Sequence, residues 1–246
     1  MRIRVVRHLA MVGIVPAVVG LTSAMPSLAA TSAAKSALTC PTFSSNSFHH
    51  PTTIENPYFP LIPGTRFTYK GNVKKQAVVD VVTVTHNNRT IDGVRTVEVR
   101  DQTYESGTLS EDTLDWYAQD DQGNVWYFGE FTTQVATDTH TGSWTAGIDG
   151  AQPGYIMEAA PKVGDTYCQE NAPGIAEDAA QVVSVTSSRA VPFGSYSGNV
   201  LQTKDFSLIE PHSEYKFYEP GVGMLEAIAL NGGSEDIQLY TIEHNV

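Results

Sequence analysis

The sequence predicts an all-β protein, an antiparallel meander forming a barrel or half-barrel from two related units, with at most one or two short helices. Three observations lead there. From Pro51 onward the chain is rich in β-branched and aromatic residues, punctuated by Gly, Pro, Asn and Asp. No stretch repeats apolar residues at helical spacing, and the best short helix is Ile175 to Gln181. Short segments also recur, in order, about one hundred positions apart.

The strands follow from the turns. Ala77 to Thr85 reads AVVDVVTVT, a Val-rich strand. His86 to Gly93 carries Asn87-Asn88 and Asp92-Gly93 turn chemistry, and Val94 to Glu105 returns. Ser106-Gly107 turns again, Leu109 to Gln119 runs back, and Asp121-Gln122-Gly123 leads into Asn124 to about Val135. Short turns between successive strands make an antiparallel meander.

The recurrences are specific in order. Ile62-Pro63-Gly64-Thr65-Arg66-Phe67 matches Lys162-Val163-Gly164-Asp165-Thr166-Tyr167. Val81 to Thr85 matches Val182 to Thr186, and Trp116-Tyr117 matches Phe217-Tyr218. They predict two β units, about 55–135 and 156–246, within one domain spanning 51–246. A Gly-rich insertion, 136–155, joins them. Each unit alone leaves edges and one apolar face to cover, so together they predict a pseudo-symmetric barrel.

The start of the chain reads as an export signal. Arg2, Arg4 and Arg7 precede an apolar run from Leu9 to about Leu21, and small residues follow through Ala29 and Ala30. Residues 1–29 are the expected signal peptide, and 30–50 a flexible lead-in rich in Ala, Ser and Thr. The apolar run is shorter than the ~20 residues a span needs, so no membrane span is expected after cleavage. Removing the three arginines leaves 12 basic residues against 27 acidic ones, a formal charge of −15. That disfavours nucleic acid and anionic membrane surfaces as partners, since phosphate binding needs clustered Lys and Arg, and no nucleic-acid partner is expected. In the secreted or cell-envelope compartment that the signal implies, Cys40 and Cys168 are expected to form one disulfide. Ala37-Leu38-Thr39 before Cys40 is a poor match to a lipid-attachment motif.

Candidate site residues come from two places. Pairing Trp116 with Phe128 puts Leu114, Trp116, Ala118, Trp126, Phe128 and Glu130 on one face. That is an aromatic face ending in a carboxylate, whose proton affinity burial would raise. The loop Gly142 to Gly154 then places Trp144 and Asp149 among four glycines, a pattern suited to a binding loop or lid. Trp126, Phe128 and Trp144 are expected as wall residues of a ligand cavity, with Glu130 and Asp149 as polar anchors. Asp165, Glu170, Glu177 and Asp178 form an acidic group without the order of a calcium loop. No histidine or cysteine spacing matches a metal motif, so neither a metal nor a cofactor is expected. Gly194-Ser195-Tyr196-Ser197-Gly198 has tyrosine where a hydrolase elbow needs serine. Asn88-Arg89-Thr90 is a glycosylation sequon.

Ile54 to Leu61 (IENPYFPL), Gly123 to Glu130 (GNVWYFGE), the Gly142–Gly154 loop and Tyr218 to Gly223 (YEPGVG) together resemble a family of exported bacterial β proteins of unknown function. The Tyr218–Gly223 stretch more distantly resembles periplasmic half-barrels of the LolA type. Neither resemblance implies a catalytic residue. The leading expectation is an exported protein that binds a small apolar or amphipathic ligand in a β-barrel cavity. Two alternatives stand beside it: a secreted enzyme using Glu130 and Asp149, with His212, in a cleft, and a calcium-stabilised structural or interaction protein.

Overall fold

The fold is taken from a computed structural model that describes residues 38–73, 75–230 and 235–246. The expected signal peptide and residues 30–37 of the lead-in lie outside those residues. The described chain is all β apart from one 3-10 turn, Ser45–Ser47.

The first half of the barrel is β1 (Thr65–Val73), β2 (Gln76–Ile91), β3 (Val94–Glu105), β4 (Thr108–Gln119), β5 (Val125–Gln134) and β7 (Gln152–Met157). A two-residue strand, β6 (Trp144–Thr145), hangs on β5. The second half is β8 (Thr166–Ala172), β9 (Ala176–Val191), β10 (Gly194–Ser207), β11 (Ser213–Glu219), β12 (Gly223–Ala229) and β13 (Asp236–His244). Apart from β6, each strand pairs antiparallel with the next, and β13 returns to β1. The result is a closed twelve-stranded meander barrel, which leaves no exposed sheet edge.

Turn chemistry explains the tight connections. Asp92 and Gly93 take φ of 47° and 81°, and Ser106 and Gly107 take 49° and 84°. Two successive positive φ values match the twist of flanking strands, which is why Asx-Gly and Ser-Gly pairs sit there. The expected helix at 175–181 is a correction: Ala176 onward is strand β9, paired with β8. A two-turn helix is marginal by itself, and the ladder to β8 outweighs alanine's preference. Ala176, Ala179 and Ala180 are fully buried there, so their smallness serves packing.

The inner face is unusual. Tyr69, Tyr117, Tyr127 and Tyr218 fill the lumen and are fully buried. Among them stand buried Asp80, Asp101, Asp115, Glu170, Asp205 and Glu214. Lys216, 2% exposed, sits 3.1 Å from Asp205 and 3.0 Å from Glu214. The outer face of β1, β3 and β4 carries Arg66, Lys70, Glu98, Arg100 and Asp112, a surface for water and not for lipid chains. Among the described residues no helix is long and apolar enough to cross a membrane.

One end of the barrel is closed by residues 54–61. Asn56 Nδ2 donates to the carbonyls of Gly123 and Glu158, both at 3.0 Å. Gly221 N–H donates to Pro57 O at 2.7 Å. Phe59 packs edge-on against Tyr117, ring centroids 5.4 Å apart. The segment therefore bridges the β4–β5 turn and the β11–β12 turn. Upstream, Cys40 and Cys168 form the expected disulfide, Cα atoms 4.8 Å apart, and Thr39 bridges to Tyr167 beside it. Closing a loop of 128 residues stabilises by about 5 kcal/mol in the chain-entropy model. Structural disulfides persist in oxidising compartments, so the bridge fits an extracytoplasmic location.

Candidate functional site

The hairpin β4–β5 does not keep the simple alternation expected of it. Trp116 pairs with Gly129, Asp115 with Glu130 and Leu114 with Phe131, while Ala118 still pairs with Trp126. The register shifts between Trp116 and Tyr117, leaving Phe128 as the extra residue of a β-bulge. Glu130 therefore changes face. It joins Tyr117, Asp115 and Tyr127 on the inner side, and Trp126 and Phe128 stay outside. The single aromatic face with a carboxylate at its end is thus corrected by one inserted residue.

Gly129 is what permits the bulge. Its φ is 133°, and a Cβ there would lie 2.4 Å from Trp144 O. Only glycine lets β6 approach this closely. β6 in turn carries Trp144 opposite Glu130, and the Trp144 ring packs edge-on against Tyr127 at 5.4 Å.

The loop after β6 folds back over the barrel wall. Gly147 N–H donates to Ala151 O, and Ala151 N–H to Ile148 O, both at 2.9 Å. Asp149 and Gly150 sit at the tip with φ of 50° and 82°. Beneath the loop lies a cavity of about 260 Å³, lined by Arg89, Trp116, Glu130, Trp144, Ile148 and Asp149, among others. Three of the five expected ligand residues, Glu130, Trp144 and Asp149, come together there. Trp126 and Phe128 do not join them. They pack edge-on with Phe43 and Phe48, centroids 5.6–5.9 Å apart, and Trp126 Nε1 donates to Asp120 at 2.8 Å. That aromatic cluster fixes residues 43–48 to the barrel.

Arg89 was not expected in the site, and Trp116 was expected only on the aromatic face and not among the ligand residues. The Arg89 guanidinium lies over the Trp116 ring, 4.3 Å from its centroid. Trp116 is only 3% exposed. The electrostatics of the neighbouring lumen differ. Tyr127 O–H is 2.5 Å from Asp115 Oδ1 and 2.8 Å from Glu130 Oε2. Burial, then Asp115 and Glu130, push the Tyr127 phenol well up. Burial also pushes Asp80 up to about 6, and burial and then the charge of Asp80 push Asp101 well up.

The remaining expected groups separate. Glu170 pairs with Asp178 across β8–β9, both buried. Glu177 Oε1 accepts from Gly174 N–H at 2.7 Å, and Asp165 Oδ2 from Lys162 N–H at 2.8 Å, so these two hold turns. Among the described residues no group of three or more His, Cys, Asp or Glu is arranged to hold a metal ion. His212 lies in the β10–β11 connection and is not part of the cavity lining.

No family model and no curated protein matches the chain. Two solved structures are similar to it. One is a Bacteroides fragilis protein assigned as exported, with a YmcC-like fold: 16% identity, TM-score 0.45, covering 76% of this chain and 98% of the other. The second is a Parabacteroides distasonis protein assigned as a lipoprotein: 16% identity, TM-score 0.43, covering 76% of this chain and 99% of the other. The barrel architecture rests on the strand pairing itself.

Proposed function

We propose that this chain is an exported β-barrel protein that binds a small amphipathic ligand in the wall cavity roofed by residues 142–154. The observation that carries the reading is the cavity itself. It combines two tryptophans, Trp116 and Trp144, with Ile148 and the polar ends of Arg89 and Asp149. Apolar lining with a few convergent polar groups is the usual make-up of a ligand site. The lumen offers a poorer home for an apolar molecule, because its surface is built from carboxylates and tyrosines that need polar partners.

Export is supported by the basic and apolar start of the sequence and by the disulfide. Cys40 Sγ is bonded to Cys168, so it is not available for a lipid thioether. We further propose that the two halves are related units. β2 and β9 both span 16 residues, at 76–91 and 176–191, and the register shifts fall after Trp116 and after Phe217.

The test is Trp fluorescence with native mass spectrometry across a set of small aromatic and aliphatic amphipaths. Binding with a Trp response that Trp144→Phe diminishes is the expected result. If no member of the set binds, or if binding survives Trp144→Phe and Ile148→Asp unchanged, the cavity is not the site.

A further inference from the structure

The two halves of the barrel carry the same device, with a built-in carboxylate beside the arginine in one and none in the other. In the second half Arg189, on β9, reaches across β10 to the ring of Phe217, 3.4 Å from its centroid. Arg89 stands one hundred positions earlier on β2 and reaches across β3 to Trp116 in the same way. Arginine over an aromatic ring keeps its in-plane donors available, so it is a natural receptor for a carboxylate.

In the second half that carboxylate is built in. Phe217 pairs with Glu226, and Glu226 Oε2 lies 2.8 Å from Arg189 Nε. Gln238 Nε2 donates to the other oxygen of Glu226 at 2.6 Å. In the first half the residue paired with Trp116 is Gly129. Both hairpins break register at the same step, so Gly129 occupies the place of Glu226. Among the described residues Arg89 forms no ion pair, and the space beside it is the 260 Å³ cavity.

We infer that this cavity receives the carboxylate of a small organic acid, which binds Arg89 over Trp116 as Glu226 binds Arg189 over Phe217. The inference deepens the proposed function and rests on it. The apolar body of the acid lies against Ile148 and the Trp144 side of the cavity. The two carboxylates in the lining leave room for this. Glu130 Oε2 accepts from Tyr127 O–H on the lumen side. Asp149 is exposed at the loop tip, where water screens its charge.

The test compares phenylacetate and hexanoate with their amides, and with phenethylamine, by Trp fluorescence and calorimetry on the intact disulfide-bonded protein. The acids bind at least about tenfold more tightly than the amides, as loss of a charge-assisted contact requires. Arg89→Gln removes that preference and Arg189→Gln does not. Arg89 is exposed, so an unchanged melting curve shows that Arg89→Gln is folded. Equal binding of acid and amide, preference for the amine, or an unaltered preference in Arg89→Gln overturns the inference while leaving the cavity a ligand site. Absence of binding by all of these probes overturns both readings.

Discussion

The hairpins β4–β5 and β11–β12 make the most informative pair of regions in the molecule. They share a strand order, an aromatic-tyrosine pair and a register break at the same step. They differ in the residue that stands at the break. Glu226 gives the second hairpin an ion pair with Arg189, whereas Gly129 lets the first take a short strand and a glycine-rich loop against it. The same contrast runs through the lumen. Lys216 answers Asp205 and Glu214 in the second half. Asp115 stands at the equivalent place in the first, 101 positions earlier, among acids. At these matched places the second half sets opposite charges together, Arg189 with Glu226 and Lys216 with Asp205, where the first half carries Gly129 and Asp115.

Removing the internal cation tests the second half. Lys216→Met leaves Asp205 and Glu214 buried without their cation and is expected to cost about 3–5 kcal/mol, read as a lowered urea midpoint. A cost under about 1 kcal/mol would mean that Lys216 contributes little to holding these two acids in the native barrel. Gly129→Ala tests the other half. Its Cβ meets Trp144 O and the Thr145 backbone. About 3 kcal/mol of destabilisation is expected, or release of β6 from β5, seen as faster amide exchange at residues 144–151. Glu226→Ala at the matching place keeps the ladder and is expected to cost only about 1–2 kcal/mol, since Arg189 is 32% exposed on its side chain.

The pH dependence follows buried acids in both halves, since burial also moves Glu158 up to about 7 and Glu235 up to about 8. Unfolded, Asp80 titrates near 3.8; folded, burial moves it up to about 6, and Asp101 moves up beside it. Between those values the native state keeps a proton that the unfolded state releases. Stability is therefore full below about pH 4 and falls as pH rises through 6, by about 2–3 kcal/mol at ~1.4 kcal/mol per unit. Urea midpoints at pH 5 and pH 8 read it, and Asp80→Asn reduces the difference while Glu158 and Glu235 keep the rest of it. A barrel more stable at pH 8 than at pH 5 contradicts this picture of the acids. Smallest of all, Arg89→Gln is expected to change stability by less than about 0.5 kcal/mol, because an exposed arginine over a ring contributes little to folding.

Much of the fold was legible in residue order. Asp92-Gly93 and Ser106-Gly107 announced two-residue turns, the Val-rich runs announced long strands, and the cysteine pair in an exported chain announced the bridge. What escaped was local. Counting faces from Trp116 assumes an unbroken ladder, and nothing in the letters of Phe128-Gly129-Glu130 separates a bulged glycine from an ordinary strand glycine. That one residue moved Glu130 inside and removed Trp126 and Phe128 from the site. Trp144 and Asp149 were found because glycine density marks a folded-back loop. Arg89 was missed, although a signal existed. Arg89 and Arg189 share the spacing of the recurring segments, and Trp116 and Phe217 were already matched. Comparing the halves for charged residues as well as strands would have picked it out.

The most direct test of the carboxylate-receptor reading is a crystal structure of the protein soaked with phenylacetate. The acid is expected beneath residues 142–154, its carboxylate within hydrogen-bond distance of Arg89 and its ring against the Trp144 side of the cavity. Phenylacetate found in the lumen among the buried acids, or a wall cavity that stays empty at saturating concentration, would contradict it.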